Sequence, residues 1–177
     1  MDNKLTDGDV RIVYLPPMTM ASIYCVGDRA ETDTAIAIKK LIQKNNLPEL
    51  KPDFRLFGFN HKNGDEHGYE RWISVPDDFV VNGPFQKIKF TGGLYCSIMR
   101  PLSPNFYEGW EMLYGWLMES KKYEIVPGDP EKMNGMLNED LNIFNKYVNI
   151  YDPSDPKSEP FDEESLQLDL MIPIKEK

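Results

Sequence analysis

The sequence predicts an α+β domain in which a βαββ unit occurs twice, related by a pseudo-twofold axis. The segments 23–25 and 94–96 read Ile-Tyr-Cys and Leu-Tyr-Cys, and each leads through a short loop into a helical pattern. Each copy then closes with a strand that ends in proline. Because the order strand, helix, strand, strand recurs in two halves, about 10–80 and 86–177, we expect an antiparallel sheet with two helices on one face.

The first half contains four elements. β-Branched and aromatic residues predict a strand over 18–26. Apolar residues at helical spacing predict a helix over 33–46. Two further strands, 53–60 and 69–75, flank a polar stretch in which Asn63-Gly64 predicts a hairpin turn.

The second half repeats this order with longer connections. Ser103-Pro104 predicts the start of its helix, because a capping hydroxyl precedes a proline at the first helical position, and an apolar stripe continues to about residue 121. The other predicted elements are a short helix near 133–137 and strands at 86–90, 93–100, 147–151 and 166–174.

Composition narrows the class of protein. The chain has 177 residues and a net charge of −9, so we expect one acidic domain over residues 1–177 that does not bind a nucleic-acid backbone. It has no apolar run of membrane-spanning length, and its two cysteines fit a reducing cytoplasm. His61 and His67 share a polar turn with Asp65 and Glu66, but no cysteine accompanies them, so we expect neither a metal nor a cofactor.

Alternation along the strands separates two faces of the sheet. The apolar rows, such as Leu94, Cys96 and Ile98, can be covered by the helices. The opposite rows carry aromatic, methionine and carboxylate side chains, an unusual makeup for a solvated face. We therefore predict a ligand cleft there, lined by Tyr24, Phe57, Glu70, Trp72, Tyr95, Tyr147, Asp169 and Met171.

The match between the two copies makes a sharper prediction. It places Tyr24 at the same position as Tyr95, and Trp72 at the same position as Asp169. A ring and a carboxylate facing one another across the seam would suit an aromatic or cationic small molecule.

These segments resemble the GyrI-like effector-binding domains, which occur alone or fused to AraC-type and MerR-type regulators. The resemblance rests on residues 68–79 (GYERWISVPDDF), 92–96 (GGLYC) and 169–175 (DLMIPIK), and on the helix that carries Trp110 and Trp116. The pieces occur in order over nearly the whole chain. Because the resemblance starts near residue 1, we expect the stand-alone form without a DNA-binding module.

The resemblance implies a saddle-shaped sheet whose cleft holds hydrophobic, often cationic compounds between aromatic rings and a central acidic residue. That acidic residue maps to Asp169, where many relatives have glutamate. The alternative for Asp169 is a carboxylate that is solvated or bonded to a neighbouring Tyr or Arg. Trp72 and Tyr95 are either stacking walls or core, and Glu70 is either a second acidic contact or part of a rim salt bridge.

Two functions follow as hypotheses. The first is binding of a hydrophobic or cationic small molecule, as a multidrug or effector receptor. The second, which the resemblance suggests, is hydrolysis of cyclopropane-containing DNA-alkylating compounds, with Asp169 or Glu70 as the base. Sequence does not identify a protein partner.

Overall fold

The computed structural model describes residues 4–63, 66–103, 105–141 and 167–177. Nine strands, three helices and one 3-10 segment make up these parts of the chain. The strands are β1 (Arg11–Leu15), β2 (Met18–Val26), β3 (Leu56–Asn63), β4 (Glu66–Val75), β5 (Gln86–Phe90), β6 (Gly93–Pro101), β7 (Tyr123–Ile125), β8 (Leu137–Asp140) and β9 (Gln167–Glu176). The helices are α1 (Ala30–Lys44), α2 (Leu47–Leu50) and α3 (Glu108–Glu119), and the 3-10 segment is Pro130–Gly135.

All nine strands belong to one antiparallel sheet, which confirms the predicted α+β fold. Eight strands follow the order β1-β6-β9-β8-β3-β4-β2-β5, and β7 pairs with the C-terminal end of β9. The order is palindromic: β5-β2-β4-β3 in one half corresponds to β1-β6-β9-β8 in the other. The pseudo-twofold axis therefore passes between β3 and β8, where Phe57 pairs with Glu139 and Gly58 with Asn138.

The two halves exchange their edge strands, an arrangement that local sequence patterns do not predict. Strand β1 precedes β2 in the chain but pairs with β6, and β5 precedes β6 but pairs with β2. Each half of the sheet is therefore completed by a strand that leads into the other half. Consequently, Arg11 lies opposite Ser97 and Gln86 lies opposite Ser22.

The predicted facing of the strands is confirmed by the buried clusters. Helix α1 packs on one apolar row, which includes Ile23 and Ile73, and α3 packs on the other, which includes Cys96 and Leu170. A third cluster lies on the face without helices. Its buried members are Leu15, Met20, Phe57, Phe59, Tyr95, Leu137 and Met171, with Trp72, Ile88 and Phe90 partly buried against it.

Several predicted elements have different bounds in the structure. The predicted short helix near 133–137 is a 3-10 segment that ends at Gly135, after which β8 begins. The helix predicted from Ser103-Pro104 begins at Glu108, with turns before it. The predicted strand 147–151, the tip of the hairpin turn and Pro104 lie outside the described residues. Within the described part of the chain, no helix has both the length and the apolar character to cross a membrane.

Gly92 offers a test of the turn between β5 and β6. Its φ is +72°, and a Cβ placed there would lie 2.3 Å from the carbonyl oxygen of Leu15. Because both the left-handed backbone and the steric clash oppose a side chain, we expect Gly92→Ala to lower the free energy of unfolding by about 2 kcal/mol. Urea denaturation measures this, with Gly115→Ala in α3 as the control, since nothing lies within 4 Å of a Cβ at that position. An equal loss in both variants would contradict the steric argument.

Candidate functional site

The strand registers correct the predicted match between the two copies. Tyr24 pairs with Glu70 across β2 and β4, whereas Tyr95 pairs with Pro173 across β6 and β9. If Tyr24 matched Tyr95, the counterpart of Glu70 would therefore be Pro173, and Trp72 could not match Asp169. The predicted match is wrong, because no single register can align Tyr24 with Tyr95 and also align Trp72 with Asp169.

A match that agrees with the strand pairing places Glu70 and Asp169 at equivalent positions of the two halves. Tyr24 corresponds to Met99, since both are exposed and lie opposite a buried carboxylate, Glu70 in one half and Asp169 in the other. On the same register, Ser22 corresponds to Ser97 and Gln86 to Arg11, and Trp72 corresponds to Met171. The two halves thus carry the same acidic position, and they differ in the side chains that surround it.

Glu70 is a buried carboxylate held by neutral and aromatic neighbours. One oxygen, Oε1, accepts hydrogen bonds from the Ser22 hydroxyl and the Trp72 indole N–H, each 2.6 Å long. The other oxygen, Oε2, lies 2.5 Å from His61 Nε2 and 3.8 Å from Lys132 Nζ. Only 5% of Glu70 is exposed, so these contacts take the place of water.

These contacts determine the charge of the carboxyl group. Burial by itself raises the pKa of Glu70, but hydrogen bonds from Ser22, Trp72 and His61 together outweigh it, and the charge of Lys132 acts in the same direction. The pKa of Glu70 consequently lies below its ordinary value. Glu70 is therefore an anion at neutral pH despite its burial.

An open cavity of about 280 Å³ adjoins this carboxylate. Tyr24 and His61 pack ring to ring with centroids 4.3 Å apart, and Phe59 stacks near His61 at 5.5 Å. Phe59 also meets the Trp72 indole edge-on at 4.8 Å, so aromatic rings surround the acidic group. The cavity is lined by Ser22, Tyr24, His61, Glu70, Pro84, Gln86 and Lys132.

Asp169 has a different environment. It is 4% exposed, and it forms an ion pair with the Arg11 guanidinium, which also reaches the Ser97 hydroxyl. Next to it on β8, Glu139 receives two hydrogen bonds of 2.5 Å from Arg55. Asp169 is therefore bonded to an arginine, which was the alternative prediction for this residue.

The aromatic and methionine candidates divide into two groups. Phe57 and Met171 have no exposed surface, and Tyr95 is 5% exposed, so all three pack in the third cluster beneath the cleft. Burial raises the pKa of Tyr95 to about 12, so its phenol stays neutral. Trp72 is partly exposed and Tyr24 is 41% exposed, and these two remain available to a ligand. Tyr147 lies outside the described residues.

Three side chains that contact the Glu70 carboxylate, Ser22, His61 and Lys132, were not predicted as site residues. Strand alternation places Ser22 on the same face as Tyr24, and this pattern was a sufficient signal to find it. His61 was read with the polar turn, whereas it lies in β3, on the same face as Glu70. Lys132 comes from the 3-10 segment, and its sequence neighbourhood gives no indication of its contact with Glu70.

Other titratable clusters do not suggest a metal centre. His67 lies 3.5 Å from Glu31 and apart from the His61 contact with Glu70. Among the described residues, no group of three or more His, Cys, Asp or Glu side chains is arranged to hold a metal ion.

The depressed pKa of Glu70 predicts a pH effect on stability. A carboxyl group whose pKa is lower in the folded than in the unfolded state stabilises the fold above its ordinary value of 4.5 and loses that contribution as the pH falls through the lower folded value. We expect wild type to lose free energy of unfolding more steeply than Glu70→Gln between about pH 5 and pH 3. Urea titrations at several pH values measure the two slopes, and parallel slopes would contradict the assignment.

Fold and site together define a small-molecule-binding domain of the GyrI-like type. A family model described as Cass2, integron-associated effector binding protein, matches residues 11–174, and the chain belongs to that family. No curated protein sequence matches the chain.

Solved structures agree on the fold. The C-terminal domain of EcmrR is 11% identical with a TM-score of 0.64, and the match covers 95% of this chain and 98% of that one. A hydrolase from Listeria innocua is 16% identical with a TM-score of 0.54, covering 94% and 92%. At these identities the comparisons support the GyrI-like fold.

Proposed function

We propose that this protein binds hydrophobic organic cations, with the positive charge of the ligand beside Glu70 and its apolar body against Trp72 and Tyr24. The observation that carries this proposal is a buried carboxylate that stays ionised and borders an open cavity. A buried anion without a close, full counter-charge gains from a cationic guest. Membership of an effector-binding family supports the same class of ligand site.

We assign the ligand's positive charge to Glu70 and not to Asp169, because Glu70 has no full positive charge in close contact. Asp169 already has a guanidinium as partner, and Glu139 has another. Glu70 is 3.8 Å from the nearest lysine ammonium, beyond hydrogen-bonding distance, and its shorter contacts come from two neutral donors and an imidazole. Glu70 is therefore less fully neutralised than Asp169 or Glu139.

A pair of probes matched in shape and opposite in charge tests the proposal. Tetraphenylphosphonium and tetraphenylborate both carry four phenyl rings around a central charge. We expect isothermal titration calorimetry to show binding of the cation and at least tenfold weaker binding of the anion. Equal binding of both ions would show that the site responds to shape and hydrophobicity alone, and would overturn the role of the charge.

A second candidate function is hydrolysis, which the close contact between His61 and Glu70 favours. An imidazole 2.5 Å from an ionised carboxylate at a cavity wall is an arrangement suited to accept a proton from water. The water oxygen would bond to an electrophilic cyclopropane carbon as the ring C–C bond breaks, and the proton held by His61 would return to the ring-opened product. The Listeria hydrolase has a similar fold, and its support for this candidate function is limited to that structural likeness.

Turnover distinguishes this function from simple binding. Mass spectrometry of a conjugated cyclopropane compound incubated with the protein would show a product heavier by one water, and His61→Gln would abolish its formation. A compound that binds and is recovered unchanged would leave binding as the function.

A further inference from the structure

The segment 126–136 contributes residues to the linings of two cavities. Lys132 lines the cavity at Glu70. Asn134 and Gly135 line a second cavity of about 240 Å³, which also borders Phe90. Trp72 contacts one lining residue of each cavity: it donates to Glu70 and packs near Phe90, with ring centroids 5.8 Å apart. The same segment therefore borders both cavities.

The backbone of this segment is held in an unfavourable conformation. Met133 and Asn134 have φ values of 53° and 54°, and two consecutive non-glycine residues in the left-handed region are uncommon. The turn is anchored on Asp129, whose carbonyl oxygen accepts from the Lys132 and Asn134 amides at 3.0 and 2.8 Å. Such conformations cost free energy and concentrate at ligand clamps and switches. Here the turn sets Lys132 next to Glu70.

The contact that this turn produces is loose. Lys132 Nζ lies 3.8 Å from Glu70 Oε2, and 45% of the lysine side chain is exposed. The carboxylates of the other half are held much closer by arginines, as the 2.5 Å contact between Arg55 and Glu139 shows. A half-exposed lysine at this distance can leave the carboxylate at a modest cost.

We infer that Lys132 is a tethered cation, which holds the position of the ligand's positive charge in the free protein and is displaced when a cationic ligand binds. This inference rests on the proposed function at Glu70. Lys132 then determines charge selectivity, because a ligand must compete with a cation already present.

Substitution of Lys132 tests this competition. We expect Lys132→Met, which keeps the length of the side chain and removes its charge, to bind tetraphenylphosphonium about three- to tenfold more tightly than wild type. Lys132→Arg should bind it like wild type or more weakly. Lys44→Met changes the net charge equally from an exposed position on α1, on the other face of the sheet, and should change affinity less than twofold.

The possible results distinguish a failure of this inference from a failure of the proposed function. If Lys132→Met binds the cation no better than Lys44→Met, while Glu70→Gln loses binding, the tethered cation is wrong and the ligand site stands. If wild type and Lys132→Met both fail to bind the cation, the proposed function fails and the inference fails with it. Tighter binding of tetraphenylborate by Lys132→Met would indicate removal of a steric obstacle and would also overturn the inference.

Discussion

Glu70→Gln should weaken the binding of tetraphenylphosphonium by about tenfold to a hundredfold, because it removes the negative charge and keeps the size of the side chain. The amide oxygen of glutamine can still accept from Ser22 and Trp72, the two neutral donors at this position. The fold should therefore persist, and the loss should be one of charge. Calorimetric titration of both proteins at neutral pH and low salt measures the ratio of affinities.

Asp169→Asn is the matched control, since it makes the same chemical change at the equivalent place in the other half. Arg11 already neutralises Asp169, so we expect the affinity for the cation to change less than threefold. If Asp169→Asn lost binding and Glu70→Gln did not, the ligand charge would lie in the second half of the sheet and the assignment to Glu70 would be wrong.

Phe57 should contribute strongly to the free energy of unfolding. Phe57→Ala should lower the free energy of unfolding by about 3 to 5 kcal/mol, because Phe57 is fully buried beside the pseudo-twofold axis and the space it leaves cannot be refilled. Urea denaturation followed by tryptophan fluorescence measures the change. A loss below about 1 kcal/mol would contradict the placement of this ring in the core.

Phe57→Leu separates packing from ligand contact. It keeps most of the apolar volume, so we expect a smaller loss of stability and nearly unchanged affinity for the cation. A large fall in affinity in a stable Phe57→Leu protein would indicate that Phe57 contacts the ligand directly, as the sequence had suggested.

The order of elements and the two faces of each strand could be predicted because they depend on local patterns. Alternation along β6 and β9 separates Cys96 and Leu170 from Tyr95 and Met171, and the clusters follow that separation. The helical pattern after residue 30 likewise gave α1 within three residues at each end. Such patterns require no knowledge of which strands are neighbours.

The relation between the halves depends on long-range pairing, and for that reason it was missed. Nothing near Arg11 in the sequence indicates that β1 crosses to pair with β6, and this exchange is what brings Arg11 to Asp169. Aligning the two Tyr-Cys segments places Tyr24 with Tyr95, whereas the strand pairing places Tyr24 with Met99. Only the pairing of Tyr24 with Glu70 and of Met99 with Asp169 shows which positions are equivalent.

The face predicted to hold the cleft has an open cavity, but this cavity adjoins Glu70 in the first half of the sheet and not Asp169 in the second. An aromatic residue in a strand reads the same whether it lines a cavity or fills a core, so Phe57 and Trp72 could not be separated without their exposure. Lys132 could not be predicted at all, because its contact with Glu70 depends on the left-handed turn at Met133 and Asn134.

The indole N–H of Trp72 is a direct probe of a ligand site at Glu70, because it donates to that carboxylate. The chain has three tryptophans and therefore three indole signals in a ¹H–¹⁵N spectrum, which Trp72→Phe would assign. During titration with tetraphenylphosphonium, we predict that the Trp72 signal shifts with the affinity measured by calorimetry. The signal of Trp116, which donates to Asp7 near α3, should stay in place. Binding of the cation with an unmoved Trp72 signal would contradict a ligand site at Glu70.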